Sequence, residues 1–534
     1  KRTVAATLLS LCIAAQTAAQ GLKSGRYELP YKNTYVKEVF VAENEYRTAA
    51  PERIEPRPFD EARRILPAPY WEGHDKEIEM YWHAWRIAVG NIRQPQEGSG
   101  FVSPYLDMAY NGNIFMWDMS FMMLYARYGY RYFPFQRSMD NFYAKQHPDG
   151  FICREIRADG SDCFERYDPT STGPDLLPWI ELTYFRQFGD IDRLHRIFPA
   201  LCGYAKWWKL NRTWPDGTYW SSGWGTGMDN MPRVKPEYNP IFSHGHMVWL
   251  DTNLQQMLVD ESLLQIGFHI ERWQEIEWME EEMKMLKRYI NEHLWDERDG
   301  FLHDRYGDGS LCPTKGIGAY WALQTDALDK ERLDRLVDHL SDTTEVARPH
   351  RVPSLSADHA KYNPVGRYWQ GGVWPGTNYM VIDGLWRKGY RAQAREIAAN
   401  HYASVFEVWK KTGTFWEYYA PERPEPGFMA RKDFVGWTGL PPIAVFIEYV
   451  LGIKSDYSER RIEWDVTRTE AHGIERYPFG PNGVVDLKVR RRGSSSEVPA
   501  VTVSTDVPFD LTVLWGDGQS RTVHVEKSGE VKLD

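Results

Sequence analysis

The sequence predicts a mainly helical protein that ends in a small β module, and three kinds of pattern support this prediction. Apolar residues recur at intervals of three and four, which is the spacing of one buried helix face. One such face after Arg272 consists of Ile276, Met279, Met283, Leu286, Ile290 and Leu294. Long loops rich in Trp, Gly, Pro and Asp separate the helices. From Arg460 onward, apolar and polar residues alternate instead, as in Val501-Thr-Val-Ser, and this period is typical of strands.

The helical region runs from about Tyr70 to Ile453. A second apolar face within it consists of Ala398, Tyr402, Val405 and Trp409. Since Pro favours the first turn of a helix, a short helix is expected to end near Ile197 and a new one to span Pro199–Leu210. Helices that alternate with long loops over this length are typical of a ring of paired helices whose loops gather at one end.

The chain divides into four predicted segments. Residues 1–20 have a basic start, a short apolar run and small residues after it, which is the pattern of a secretory signal peptide. We therefore expect an exported protein, periplasmic or secreted, with no membrane-spanning segment, because no run reaches the roughly 18 apolar residues that a span needs. Residues 21–70 indicate an extended lead-in, residues 71–455 the helical barrel, and residues 456–534 a β-sandwich-like accessory module.

Composition narrows the classes of partner. The formal net charge is −10, which disfavours nucleic acid, and the basic run Arg490-Arg491-Arg492 is too short to change that expectation. The 23 Trp and 31 Tyr favour carbohydrate, since aromatic faces stack on sugar rings, although such residues also fill cores. Phosphate-loop, dinucleotide and Gly-x-Ser-x-Gly fingerprints are absent from the sequence, so no cofactor is expected. The pair His244 and His246 lacks an evident third ligand, so no metal is expected either.

The cysteines leave one pairing open. Cys153 and Cys163 flank a polar turn and could form a disulfide across a hairpin in an oxidising compartment. Cys202 and Cys312 are expected to be buried thiols.

Acidic residues that lie among aromatic side chains are the candidates for catalysis. Hydrolysis of a glycosidic bond needs two carboxyl groups, and aromatic surroundings raise a carboxyl pKa by removing water, which favours a proton donor. The segments with this character are Phe115–Asp118, Ser221–Arg233, Tyr368–Asn378 and Phe415–Pro421, the last followed by Gly436-Trp437.

These segments, in this order, resemble the glycosidases of glycoside hydrolase family 63 and their trehalase-like bacterial relatives. The Gly227-Met-Asp-Asn and Tyr368-Trp…Gly-Val-Trp-Pro…Asn378 segments carry most of the resemblance. It implies an (α/α)6 barrel and an inverting, exo-acting α-glycosidase that hydrolyses α-linked oligosaccharides or glycosides. Asp229 would be the general acid and Glu417 the general base, roughly 6–10 Å apart so that a water fits. The substrate-binding residues would be Trp117, Asp118, Trp224, Asn230, Tyr368, Trp369, Gly371, Trp374, Asn378, Tyr418 and Trp437.

Each assignment has an alternative. Asp229 and Asp118 could cap helices, because Asp is a favoured N-cap residue. Glu417 could instead pair with Arg423 or Arg431. Glu422 and Glu425 are nearby acids that could take the role of the base instead. For the whole protein, the alternatives are a polysaccharide lyase on a helical toroid and a non-catalytic carbohydrate-binding protein, which would not need two separated carboxylates.

One segment departs from the family pattern. Tyr167–Asp175 replaces the family's usual Gln-Pro-Pro type segment near the sugar, so the identity of the sugar and the linkage stays open. Beside it, Arg154, Glu165 and Arg166 are most simply interpreted as a surface salt-bridge cluster. The alternative is that they recognise an unusual or acidic substrate.

Overall fold

The structure is a computed structural model that describes residues 22–24, 27–29, 38–108 and 110–533. The predicted signal peptide lies outside the described residues. In chain order the helices of the described part are α1 (Val39–Glu43), α2 (Phe59–Ile65), α3 (Asp75–Gly90), α4 (Met116–Ala126), α5 (Asp140–Ala144), α6 (Leu177–Phe188), α7 (Ile191–Asn211), α8 (Leu250–His269), α9 (Trp278–Tyr289), α10 (Lys330–Asp338), α11 (Pro375–Arg387), α12 (Arg391–Thr412) and α13 (Leu440–Val450), which is wound as a π-helix.

The helices close into a double ring. The inner ring consists of α4, α6, α8, the 3₁₀ segment Ile317–Gln324, α11 and α13, each of which contacts the next, and α13 returns to α4. The helices α3, α5, α7, α9, α10 and α12 precede these inner elements one by one and form the outer ring. Every residue of α4 and α13 is buried, as expected for helices that are packed on all sides. The predicted (α/α)6 barrel is therefore confirmed.

The inner helices all begin at the same end of the barrel. The candidate segments lie at these starts, because Asp118 lies in the first turn of α4, Trp374 directly precedes α11, and Trp437 lies just before α13. The helices end at the opposite face, where α6 and α13 contact strand β10 (Ile453–Asp456). The barrel thus has a loop end, which carries the aromatic acid-containing loops, and a base, which faces the β module.

The β module contains two sheets. Its further strands are β11 (Arg461–Val466), β12 (His472–Phe479), β13 (Gly483–Val489), β14 (Val501–Thr505), β15 (Phe509–Trp515), β16 (Gln519–Val525) and β17 (Gly529–Val531). One sheet has the order β10-β11-β15-β16, in which β11 and β15 are parallel. The other has the order β17-β14-β13-β12-β3, and its edge strand β3 (Ala68–Trp71) comes from before the barrel. The lead-in is therefore tied to the C-terminal module.

Short two-stranded sheets lie elsewhere in the described chain. They are β1 (Leu22–Ser24) with β2 (Tyr27–Leu29), β4 (Ile92–Arg93) with β5 (Tyr105–Leu106), β6 (Ile114–Phe115) with β7 (Glu155–Ile156), and β8 (Trp295–Asp296) with β9 (Phe301–Leu302).

Both predicted apolar helix faces are confirmed, and one predicted helix boundary is wrong. Five of the six residues of the first face are buried, and all four of the second face are buried in α12. No boundary occurs at Pro199, which lies inside the continuous helix α7. Proline removes one helical hydrogen bond, but Ile197, Phe198 and Leu201 beside it are buried, and this packing holds the helix together across it. Among the described residues, no helix is long and apolar enough to cross a membrane.

Candidate active site

Asp229 lies in a loop at the starts of the inner helices, after the 3₁₀ turn Trp224–Thr226. Gly227 has φ +72°, and a Cβ there would lie 3.0 Å from the ring of Trp117, so glycine allows the loop to pack on that indole. The next helix, α8, begins only at Leu250, so Asp229 does not cap a helix. The capping alternative is therefore wrong for this residue.

The environment of Asp229 favours a proton donor. Burial raises the pKa of Asp229 above its usual range, while the positive charge of Arg154 and hydrogen bonds from Tyr368 and Trp224 oppose that rise. The Tyr368 hydroxyl donates to Asp229 Oδ2 at 3.1 Å. A half-buried carboxyl group with an aimed hydroxyl donor is held in one orientation, which general acid catalysis requires.

Glu417 lies on a separate loop, and backbone hydrogen bonds hold it in place. Its amide donates to the carbonyl of Arg431 at 2.9 Å, and its own carbonyl accepts from the Trp437 indole at 2.7 Å. Its carboxylate accepts from the Arg431 amide at 3.3 Å. Burial, with a smaller contribution from the charge of Asp229, raises the pKa of Glu417 to about 7. A carboxylate with this pKa is suited to act as a base near neutral pH.

The alternative ion pairs for Glu417 are not present in the described structure. The Arg431 guanidinium lies 3.8 Å from the ring centre of Tyr110, and Arg423 pairs with Glu425 at 3.4 Å. Glu422 pairs with Arg348 at 2.7 Å. The carboxylate of Glu417 is consequently left for the pocket.

Asp118 is a third carboxyl group in the same pocket. It occupies the first turn of α4, but Phe115 is the N-cap residue, and the helix has no side-chain cap. Burial raises the pKa of Asp118 well above its usual range, and the charges of Glu417 and Asp229 raise it further. These mutual effects show that the three carboxyl groups are close enough to interact, although they come from distant parts of the chain.

Hydrogen bonds join the loops that carry these groups. The Asn230 side chain accepts from the Trp369 amide at 2.8 Å and donates to the carbonyl of Arg367. Val373 and Tyr419 exchange both backbone hydrogen bonds. Asn230 therefore links the Asp229 loop to the Tyr368–Asn378 segment, and Val373 links that segment to the Glu417 loop. Asn230 thus contributes to the site by positioning the loops.

Stacked aromatic rings support the pocket from behind. Trp369 stacks on Trp374 at 4.2 Å between ring centres, and Trp374 stacks on Tyr418 at 4.3 Å. Trp437 packs edge-on against Trp374. All four, and Trp117, are less than 9% exposed, so they stiffen the wall, whereas Trp224 is only half-buried.

Two predicted substrate-binding residues are engaged elsewhere. Asn378 is fully buried, and its side chain accepts from the Val352 amide and donates to the Val352 carbonyl. Gly371 has φ +106°, and its amide donates to the Ser354 hydroxyl at 3.2 Å. Both residues hold the loop in shape through these hydrogen bonds.

Arg154 belongs to this pocket, and the surface-cluster interpretation does not hold for it. Its guanidinium carbon lies 4.8 Å from the ring centre of Phe164 and 5.4 Å from that of Trp224, and its Nε is buried without a partner. Its charge lowers the pKa of both Asp118 and Asp229. The sequence alone favoured the surface cluster over a substrate-facing role, and the pairing of β7 with β6 just before α4 places Arg154 in the pocket. Arg166 instead pairs with Asp149, and Glu165 is exposed.

The four cysteines of the described residues are free thiols. Cys153, Cys202 and Cys312 are buried, Cys163 is half-buried, and no disulfide joins Cys153 to Cys163 in the structure. Within residues 38–108 and 110–533, no three His, Cys, Asp or Glu side chains gather in a way that could hold a metal ion.

The fold and the pocket together define a class of protein. A helical double ring with carboxyl groups on separate aromatic loops can place an acid and a base around one glycosidic bond, which is the requirement for glycoside hydrolysis. The sequence profile described as "Mannosylglycerate hydrolase MGH1-like glycoside hydrolase domain" matches residues 113–438. The chain belongs to this family, which lies within glycoside hydrolase family 63, and it is a glycoside hydrolase. The lyase and binding-protein alternatives are therefore not supported.

Individual relatives are distant. An uncharacterized protein of Borreliella burgdorferi is 24% identical over 360 residues, which cover 65% of this chain and 73% of that protein. A probable mannosyl-oligosaccharide glucosidase of Schizosaccharomyces pombe is 24% identical over 281 residues, which cover 46% of this chain but only 34% of the relative. The crystal structure of a GH63 mannosylglycerate hydrolase from Thermus thermophilus with glucose has a TM-score of 0.54 at 17% identity, covering 69% of this chain and 99% of that one. At this identity the structural likeness concerns the fold.

Proposed function

We propose that this enzyme is an inverting, exo-acting α-glycosidase in which Asp229 is the general acid and Glu417 the general base. One observation carries the proposal: the Tyr368 hydroxyl donates to Asp229 at 3.1 Å, the charge of Glu417 from a separate loop acts on the same hydroxyl, and burial raises the pKa of both carboxyl groups. Asp118 and Trp117, at the start of α4, are proposed to hold the sugar, the carboxyl group by hydrogen bonds to hydroxyls and the indole as a flat wall.

In the proposed reaction, protonated Asp229 donates its proton to the glycosidic oxygen as the bond to the anomeric carbon breaks. Glu417 removes a proton from a water molecule on the opposite face of the sugar ring, and the water oxygen bonds to the anomeric carbon. The products are a β-configured sugar and the free alcohol. One proton leaves Asp229 and one reaches Glu417, so solvent must exchange them before the next turnover.

For the sugar, we propose a D-mannoside or D-glucoside. The names of the relatives support this choice, since they act on mannosylglycerate or on a glucosylated mannose oligosaccharide. Arg154 favours a substrate whose leaving group is an acid, because its guanidinium lies beside the acid Asp229 and makes no ion pair within the described residues. A small α-mannoside of a hydroxy acid is therefore the first compound to test.

Proton NMR of the earliest product tests the mechanism. We expect the β-anomer to appear first and to mutarotate later, and release of the α-anomer would rule the mechanism out. A panel of α-linked mannosides and glucosides, with charged and neutral leaving groups, tests the substrate. Arg154→Gln should reduce the preference for the acidic leaving group, and an unchanged preference would contradict that part of the proposal.

Export is also proposed, from the basic start and apolar run of residues 1–20. Fractionation of cells that express the full chain should recover the activity outside the cytoplasm, and a purely cytoplasmic enzyme would contradict it.

A further inference from the structure

A separate cavity of about 350 Å³ lies at the base of the barrel. It is lined by the C-terminal ends of α4, α6 and α11 and by strands β10 and β11. Arg127 directly follows α4, and a rise of 1.5 Å per residue separates it from Asp118 by about 14 Å along the helix axis. The cavity is thus distinct from the pocket that holds Asp229 and Glu417.

Basic side chains dominate this cavity. The cations of its lining are Arg127, Arg186, Arg387, Arg391, Lys454 and Arg461, and the acids are Asp383, Glu448, Asp456 and Glu463. Two of these acids are neutralised, because Arg127 pairs with Glu448 at 2.7 Å and Arg391 with Glu463 at 3.1 Å. The other two accept hydrogen bonds from neutral donors, Asp383 from Gln324 and Asp456 from Ser458. Four cations remain, Arg186, Arg387, Lys454 and Arg461, and they outnumber these two acids.

Arg186 and Arg387 are the central feature. Neither makes an ion pair within the described part of the chain; Arg186 donates to the Gln265 side chain at 2.7 Å and Arg387 to that of Gln324 at 3.1 Å. Burial lowers the pKa of Arg186, and the charge of Arg387 lowers it further, whereas the charges of Asp456, Asp383 and Glu261 oppose that fall. Glu261 is acted on by both guanidinium groups, but no carboxylate of the described residues lies within ion-pair distance of either.

The remaining walls combine further donors with aromatic surface. The Nε of Arg127 is buried and has no hydrogen-bond partner. Lys454 donates to the carbonyl of Glu448 and lies 3.7 Å from the ring centre of Trp386. Trp179 and Tyr128 complete the inner wall. The cavity therefore offers charged donors on one side and flat rings on the other.

Helix dipoles give a simpler account of cations at this end, since a helix C-terminus favours positive charge. That account covers Lys454, which donates to a carbonyl near the end of α13. It does not cover Arg186 and Arg387, whose recorded side-chain hydrogen bonds go to amide side chains. The same two amides donate in turn to carboxylates, Gln265 to Glu261 at 3.4 Å and Gln324 to Asp383 at 3.1 Å. Each guanidinium is thus linked to an acid only through an amide, and its further N–H groups are left for the cavity.

We propose that this cavity binds a tetrahedral oxyanion, phosphate or sulfate, free or carried on a sugar, between Arg186 and Arg387. Guanidinium groups bind such anions with paired hydrogen bonds, and the volume lies in the usual range of ligand pockets. The aromatic wall would accommodate a sugar ring attached to the anion. A bound anion would join α6 and α11 of the barrel to β10 and β11 of the module, and would stabilise the folded protein by mass action.

Titration calorimetry of the purified full chain with inorganic phosphate at low ionic strength tests the proposal. We expect binding, and a rise in melting temperature that sodium chloride of the same ionic strength does not reproduce. Arg387→Gln should weaken phosphate binding about tenfold or more, as loss of a charged hydrogen bond would. Arg387→Lys, which keeps the charge, should weaken it less. Arg288→Gln removes an equal charge from the exposed surface of α9 and should change nothing.

Anion binding is measured without any glycoside substrate, so its failure is distinguishable from failure of the proposed glycosidase function. Glucose 6-phosphate that binds more tightly than phosphate, while glucose does not bind, would indicate a phosphorylated sugar as the ligand. No binding of phosphate, sulfate or glucose 6-phosphate to the unaltered protein would overturn the proposal. If the Arg387→Gln and Arg186→Gln variants bind phosphate as tightly as the unaltered protein does, the proposal is overturned too. Arg387 is exposed, so its variants should fold even if Arg186→Gln does not.

Discussion

The two ends of the barrel are opposite in charge and in the direction of their helices. At the loop end, where the inner helices begin, three carboxyl groups share an aromatic pocket with Arg154. At the base, where the same helices end, arginines surround a cavity that faces the β module. Helix dipoles favour carboxylates at the first end and cations at the second, and the charges follow that rule.

The comparison also shows where burial outweighs the dipole. Helix N-termini favour ionised carboxylates, yet burial raises the pKa of Asp118 at the start of α4 and of Asp229 and Glu417 beside it. At the loop end, burial therefore makes these carboxyl groups easier to protonate than ordinary ones, which suits proton transfer near neutral pH. At the base, the buried acid Glu448 is instead surrounded by donors from Arg127, Tyr128 and Tyr379, which suits a structural role.

The largest expected effect follows from the Asp229→Asn substitution. It removes the proton donor, so kcat on an unactivated α-glycoside should fall about 10³-fold or more. A dinitrophenyl α-glycoside, whose leaving group departs without protonation, should lose far less. Steady-state kinetics on both substrates measures the contrast, and equal losses on the two would argue against Asp229 as the acid.

The Glu417→Gln substitution should be almost as damaging, but with a different pattern. Attack by water needs the base whatever the leaving group, so both substrates should lose about 10³-fold in kcat. Glu425→Gln, in the same loop but in an exposed ion pair, is the matched control and should retain activity. If activity survives Glu417→Gln on both substrates, the base is another residue.

At the base, Glu448→Ala should reduce stability with little effect on kcat. It leaves Arg127 buried without its carboxylate partner, and loss of such a partner costs about 3–5 kcal/mol of the free energy of unfolding. The exposed pair of Glu396 with Arg351 provides the control, because Glu396→Ala should cost at most about 1 kcal/mol. Chemical denaturation measures both, and equal losses would mean that the base has no special structural role.

A smaller effect is expected in the pH dependence of kcat/KM. Glu417 must be ionised, so activity should rise with pH through a limb near its pKa of about 7, and it should fall again as Asp229 loses its proton. Because the two groups interact, both limbs belong to the pair. Tyr368→Phe removes a hydrogen bond that favours ionised Asp229, so the alkaline limb should move to higher pH. If activity falls but the alkaline limb stays at the same pH, Tyr368 acts only by packing.

The sequence alone determined the fold class and the catalytic candidates. Periodicity is a local property, so the face of Ala398, Tyr402, Val405 and Trp409 predicted its helix correctly. The loops that contain Asp229 and Glu417 could be chosen by their distinctive composition, and the resemblance to family 63 then assigned these two residues as acid and base. The helix boundary predicted at Pro199 was wrong, because tertiary packing holds this helix together and the preference of proline for a first turn takes no account of packing.

Tertiary structure decided which residues meet. Asn378 looked like a sugar ligand, but its amide is engaged by the Val352 backbone, a contact that no local pattern reveals. Arg154 looked like a surface residue and lies beside the carboxyl groups, because β7 pairs with the strand that leads into α4. Arg186 and Arg387 are about 200 residues apart in sequence and share a cavity only because the inner ring closes. Residue type and spacing set the chemistry available to this chain, and the closure of the ring set which groups could use it together.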